Sequence, residues 1–184
     1  EVLAIGHIKY DALLPCLFAS VLADVVCTSY GIHHTYYQVL YTETPSAVFP
    51  YLSFDGLLLA KIAVAGIAFG LVSFLFAETS HIIKSTANKY IDNKLLLPVI
   101  GGVAIIGLTF SLGTNDYLGL GVTTASGQGT SIVNAFNAGG ADTFSWFWKL
   151  LFTTITLSLG FKGGEVTPLF FIGATLGNTL AVLM

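Results

Sequence analysis

Three long runs nearly free of charge decide most of what this chain can become. Ala12 to Tyr30 carries Asp24 well inside it, Leu52 to Ala77 contains Lys61 and closes at Glu78, and Leu95 to Leu112 has no charged residue. About 20 apolar residues cross a bilayer as a helix. In hydrocarbon each backbone N–H and C=O must find its partner within the protein, which leaves helices as the form open to such runs. Only 9% of the residues are charged and 54% are hydrophobic, against roughly 25% charged in soluble domains. The expected class is all-α: a polytopic, multi-pass protein of the cell membrane whose first partner is the lipid bilayer. The net charge is −3 and every basic residue is lysine, so no basic patch points to nucleic acid. Cys16 and Cys27 fall in the first run and read as two buried thiols; no Cys/His spacing resembles a zinc motif. Neither a metal nor a cofactor is expected. The chain begins at Glu1 and ends inside an apolar run at Met184. It reads as an internal piece of a larger membrane protein, with residues 1–184 forming part of a single transmembrane transport domain.

Between the first two runs lies a polar, aromatic connection, Gly31 to Ser53, with His33, His34, Tyr36, Tyr37, Tyr41 and Tyr51. Tyrosines suit a membrane–water interface. Thr79 to Lys94 holds Lys84, Lys89 and Lys94 and reads as a charged loop. Lysine-rich short loops stay cytoplasmic, which puts the tyrosine-rich connection outside. Leu95 to Leu112 carries Gly101, Gly102 and Gly107, small residues that allow close helix packing in lipid. The second half is shorter in rhythm: a Gly/Thr/Ser loop from Thr114 to Gly129, a short helix from Thr130 to Ala138, and a short apolar segment from Trp146 to Leu159. Short, glycine-interrupted apolar segments point to broken helices around a transport site. A simple anchor or accessory subunit would not need them.

The most informative break is Gly160-Phe161-Lys162-Gly163-Gly164-Glu165-Val166-Thr167-Pro168, ahead of a further apolar run, Leu169 to Met184. It reads as a helix end and a new helix start. Proline is tolerated in a first helical turn, where its missing N–H has no intrahelical partner. Gly163 and Gly164 are expected to let the backbone aim several N–H groups at one point. A helix N-terminus at membrane depth, with bare amides at the positive end of the dipole, is a ready anion site. The structural alternative is a polar loop between two membrane helices.

This stretch, followed by Leu169-Phe170-Phe171-Ile172-Gly173-Ala174-Thr175-Leu176-Gly177, resembles the CLC chloride channel and transporter family. There a G-G-x-F-x-P motif opens a helix whose amides bind the permeating anion. With Glu165 and Val166, the G-G-E-V-T-P form resembles the CLC-F branch of fluoride carriers. Glu1 to Tyr10 is similar to the end of that family's eighth helix, and Gly119-Leu120-Gly121 after Tyr117-Leu118 to its loop between helices K and L, so the chain would run from helix H to about helix N. The resemblance implies an inverted-repeat membrane fold with broken and re-entrant helices, of which the middle and second-half part is present, and a homodimer in which Ala12 to Tyr30 lies at the dimer face. It implies fluoride or chloride ions and protons as partners, and an anion path at Gly163, Gly164, Glu165, Val166, Thr167 and Pro168. The family's serine motif, its gating-glutamate motif and its late pore tyrosine are not in this sequence. Chloride exchangers carry an E-E pair near the end of helix H. If Glu1 matches its first member, Val2 takes the place of the second, and Glu165 becomes the candidate for a compensating carboxylate.

The expected function is fluoride/proton antiport, with a CLC-type chloride channel or chloride/proton exchanger as the alternative. A membrane enzyme using His33, His34 and Asp24 finds no catalytic spacing to support it. Lys162 reads as a lysine reaching toward the membrane surface, with a cation near the anion route as the alternative, and Lys61 as a lysine reaching toward the surface from near a helix end. Asp24 reads as structural or at a subunit boundary. Thr153, Thr154, Thr156, Ser158 and Asn178 read as groups that satisfy backbone or helix–helix hydrogen bonds.

Overall fold

The computed structural model describes residues 13–32, 56–124 and 129–184. Within them the order is α1 (Leu13–Ser29), α2 (Gly56–Tyr90), α3 (Leu96–Leu112), a 3-10 turn (Asn134–Phe136), α4 (Ser145–Ser158) and α5 (Val166–Leu183). The chain divides into two units, Glu1–Tyr36 and Tyr37–Met184. In the first, α1 matches the expected span closely and none of its residues is buried. Cys16 is exposed and Cys27 half-buried, which corrects the expectation of two buried thiols. The stretch Glu1 to Tyr10, His33, His34, Tyr36, Tyr37, Tyr41 and Tyr51 lie outside the described residues.

In the second unit, α2 and α5 are each long and apolar enough to cross a membrane. The segment read as a charged loop, Thr79 to Lys94, is helical to Tyr90: α2 has 35 residues. At 1.5 Å per residue it is about 52 Å long, against a hydrocarbon core of about 30 Å. Its lysine-bearing end therefore continues as helix past the apolar part. No glycine or proline interrupts Thr79 to Tyr90, and its Lys84, Ala87 and Lys89 are good helix formers. The short helix expected over Thr130 to Ala138 shrinks to the turn Asn134–Phe136. The Ser131 hydroxyl accepts from the Asn134 N–H at 3.1 Å and the Asn134 side chain donates to Gly129 O at 2.8 Å. Such local side-chain bonds favour turns over helix.

Helix α4 packs against α2, α3 and α5. One apolar cluster joins Tyr117, Ile132, Phe152 and Phe171, with Ile105, Leu108 and Trp148 against it. A second joins Ala87, Leu97 and Leu159. Gly101 has a packing reason: a Cβ there would lie 3.0 Å from Leu159 Cβ and 3.1 Å from the Phe161 ring. The hydroxyls of α4 behave as expected of polar groups in an apolar helix. Thr153, Thr154 and Thr156 donate to Lys149 O, Leu151 O and Phe152 O, and Ser158 reaches across to Ser80 O at 3.0 Å.

Candidate functional site

The site is built on the break between α4 and α5. Helix α4 closes after Ser158 with Leu159 as its cap and Gly160 at φ +97°. The Phe161 N–H then turns back to Thr156 O at 3.3 Å, the six-to-one bond of a left-handed helix ending. The conformational demand of a positive φ falls on Gly160; neither Gly163 nor Gly164 has one. They supply bareness instead. A Cβ at Gly164 would meet nothing within 4 Å, and one at Gly163 would come only to 3.9 Å from Leu157 Cδ2.

Helix α5 starts at Val166 with Glu165 as its N-cap. The first intrahelical bond runs from the Leu169 N–H to Glu165 O at 3.0 Å. The amides of Val166 and Thr167 precede that bond and have no intrahelical carbonyl to meet, while Pro168 has no N–H to leave open. The Glu165 carboxylate makes no capping hydrogen bond. Residues 160–166 are exposed, Thr167 is half-buried and Pro168 is buried. The six residues expected along the anion path thus form one continuous edge, from the glycine pair to the first turn of α5. Lys162 is exposed, in keeping with a surface lysine. Lys61 lies near the start of α2 and is half-buried, and Asp24 is exposed on α1.

Behind this edge is a cavity of about 210 Å³. It is lined by Gly163, Gly164 and Pro168 together with Tyr117, Gly119, Lys149 and Thr156. Lys149 was not singled out in the sequence, and it is the most unusual residue of the region. It lies on α4, is 1% exposed, and donates from Nζ to Tyr117 O at 3.0 Å and Gly119 O at 2.7 Å. Its ammonium also stands 5.0 Å from the centre of the Phe171 ring. The signal was available: an ionisable residue inside an apolar helix is costly and marks a working part of a membrane protein by default. The loop it grips comes close to α5. At Gly121, φ +72°, a Cβ would sit 2.5 Å from Phe171 Cδ2, so that approach requires glycine.

Asn178 on α5 donates to Ala135 O at 2.9 Å and Asn137 O at 2.7 Å, the bonding role expected of it, and its Oδ1 has no partner among the described residues. Among those residues no group of three His, Cys, Asp or Glu is placed to hold a metal ion.

No solved structure matches the chain. A curated relative, the "Chloride/fluoride channel protein" of Pseudomonas syringae pv. tomato, is 40% identical over 190 residues. The alignment takes in 100% of this chain and 38% of that protein, so the chain spans well under half the length of its relative. The family described as "Voltage gated chloride channel" matches residues 1–184. That match covers every residue, the break between α4 and α5 included, and the chain belongs to the CLC family of voltage-gated chloride channels.

Proposed function

We propose that the chain is part of a CLC-F type transporter that exchanges fluoride for protons, with the anion held by backbone amides at the start of α5. The observation that carries this reading is the uncapped Glu165 carboxylate beside first-turn amides that have no intrahelical partner. Fluoride is small and binds its water strongly, so a site must replace that water with well-placed donors. The amides of Gly163, Gly164, Val166 and Thr167 are donors of this kind, and the glycine pair leaves them free of side-chain cover. The ionised Glu165 carboxylate repels an approaching anion and its protonation relieves the repulsion, so anion movement and proton occupancy become linked. The relative's name carries both chloride and fluoride, and chloride transport by the same path is the second reading.

In this account residues 1–184 belong to a single transport domain and correspond to the family's helices H to N. They contribute the middle and second-half part of an inverted repeat in a homodimer. The end of α2 with Lys84 and Lys89 faces the cytoplasm. Purified full-length protein in liposomes tests the ion choice. Fluoride efflux much faster than chloride efflux is expected, and equal rates would move the chain to the chloride reading. Cysteines placed at the Lys84 end of α2, probed with a membrane-impermeant thiol reagent in intact cells, test the orientation; labelling from outside would reverse it.

A further inference from the structure

Lys149 is a cation in a place where cations are expensive. With 1% of its surface exposed, its ammonium has left water almost entirely, and burying a charge is costly unless it is paired. Its hydrogen-bond acceptors are two neutral carbonyls, Tyr117 O and Gly119 O, together with the face of Phe171. Among the described residues no carboxylate pairs with it. Carbonyl dipoles and an aromatic face stabilise an ammonium, and no negative charge among these contacts cancels the positive charge it carries. An ammonium has three N–H donors, and two go to these carbonyls. Both carbonyl-bearing residues line the cavity that Lys149 shares with Gly163, Gly164 and Pro168, which places the ammonium at the cavity wall. No acidic residue lines that cavity, and the hydroxyls of Thr153 and Thr156 on its wall already donate to helix carbonyls.

We infer that Lys149 is a positioning residue for the transported ion. Its buried ammonium gives the cavity behind the glycine pair the positive potential that draws a small anion to the amides of α5, and it ties the Tyr117–Gly121 loop in place to form the wall. The assignment rests on the anion-transport reading but is indifferent to whether the ion is fluoride or chloride.

The test uses full-length protein with Lys149→Gln, Lys149→Met and Lys149→Arg. Glutamine keeps a hydrogen-bond donor and loses the charge, methionine loses both, and arginine keeps the charge. In liposomes, the glutamine and methionine variants are expected to raise the fluoride concentration for half-maximal transport by about tenfold or more, with a smaller change in maximal rate. In detergent, sodium fluoride should raise the melting temperature of the parent and of Lys149→Arg above that in isethionate buffer. The rise should shrink for the two neutral variants. The melting measurement reads binding even where a variant transports poorly. If Lys149→Gln keeps the parent's half-saturating concentration and the parent's fluoride-dependent rise, Lys149 only fastens the loop and the inference falls. An equal loss of maximal rate in all three variants, at an unchanged half-saturating concentration, overturns it as well. Repeating both measurements with sodium chloride separates the two claims. The same dependence on Lys149 with chloride as the carried ion supports the Lys149 assignment and rejects the fluoride reading.

Discussion

Helices α2 and α5 are both long and apolar enough to cross a membrane, yet they meet their surroundings differently. The most apolar window of α2 has none of its residues buried, whereas 39% of that of α5 is buried within the chain. The exposed side of α2 is aliphatic and aromatic, with Leu57, Ile67, Leu71 and Phe74 open. The buried side of α5 carries Phe171 among polar groups: Thr175, Asn178 and Thr179 are all covered, each with its hydrogens given to carbonyls. In a bilayer the open face of α2 needs only to be apolar. The inner face of α5 has to fit particular neighbours, because Phe171 packs into the apolar cluster and Asn178 and Thr179 bond to backbone carbonyls elsewhere in the chain. Tolerance to substitution should follow that division.

Truncation of the two phenylalanines should break the symmetry most strongly. Phe171 is fully buried between Tyr117, Phe152 and Lys149, and Phe171→Ala should cost about 3–5 kcal/mol, read as a large fall in melting temperature in detergent. Phe74 is 67% exposed, and Phe74→Ala should cost less than about 1 kcal/mol by the same assay. Comparable losses at both positions would end the distinction between the helices.

Glycine replacement sharpens the same contrast. Gly121→Ala puts a methyl 2.5 Å from the Phe171 ring at a positive φ, and overpacking of this kind costs about 1–3 kcal/mol. Gly70 on α2 meets open space, so Gly70→Ala should be neutral or stabilising by up to about 1 kcal/mol. A smaller effect is expected where α2 meets α4. Ser158→Ala removes the bond to Ser80 O and should lower stability by about 1 kcal/mol, with the fluoride-to-chloride rate ratio unchanged.

The sequence makes the apolar spans legible because lipid leaves few ways to satisfy a backbone, and the start of α5 legible because Gly163 to Pro168 has a local helix-start pattern. Features that depend on neighbours are less visible. The helical continuation of α2 through Lys84 and Lys89 is masked by charge, although the segment lacks any breaker. The turn at Asn134 looks helical until its side chain and that of Ser131 take up the local backbone. Lys149 carries a sequence signal, an isolated charge among apolar residues, but its carbonyl acceptors lie about 30 residues upstream. Only the folded loop brings Tyr117 and Gly119 to it, and the same loop sets which glycine must stay bare.

Glu165 offers the most direct test of the central claim, that anion movement at the start of α5 is linked to protonation of a carboxylate there. Glu165→Gln removes the charge and the titration while nearly keeping the shape. In full-length protein reconstituted in liposomes, with fluoride and proton fluxes recorded together, this change should lower fluoride transport or uncouple it from protons by at least roughly tenfold, about 1.4 kcal/mol in the affected step. Thr175→Ser on the same helix, which keeps the buried hydroxyl that bonds Phe171 O, serves as the control and should transport as the parent does. Fluoride transport at the parent rate in Glu165→Gln, with unchanged pH dependence and unchanged proton coupling, would contradict the account at its named residue.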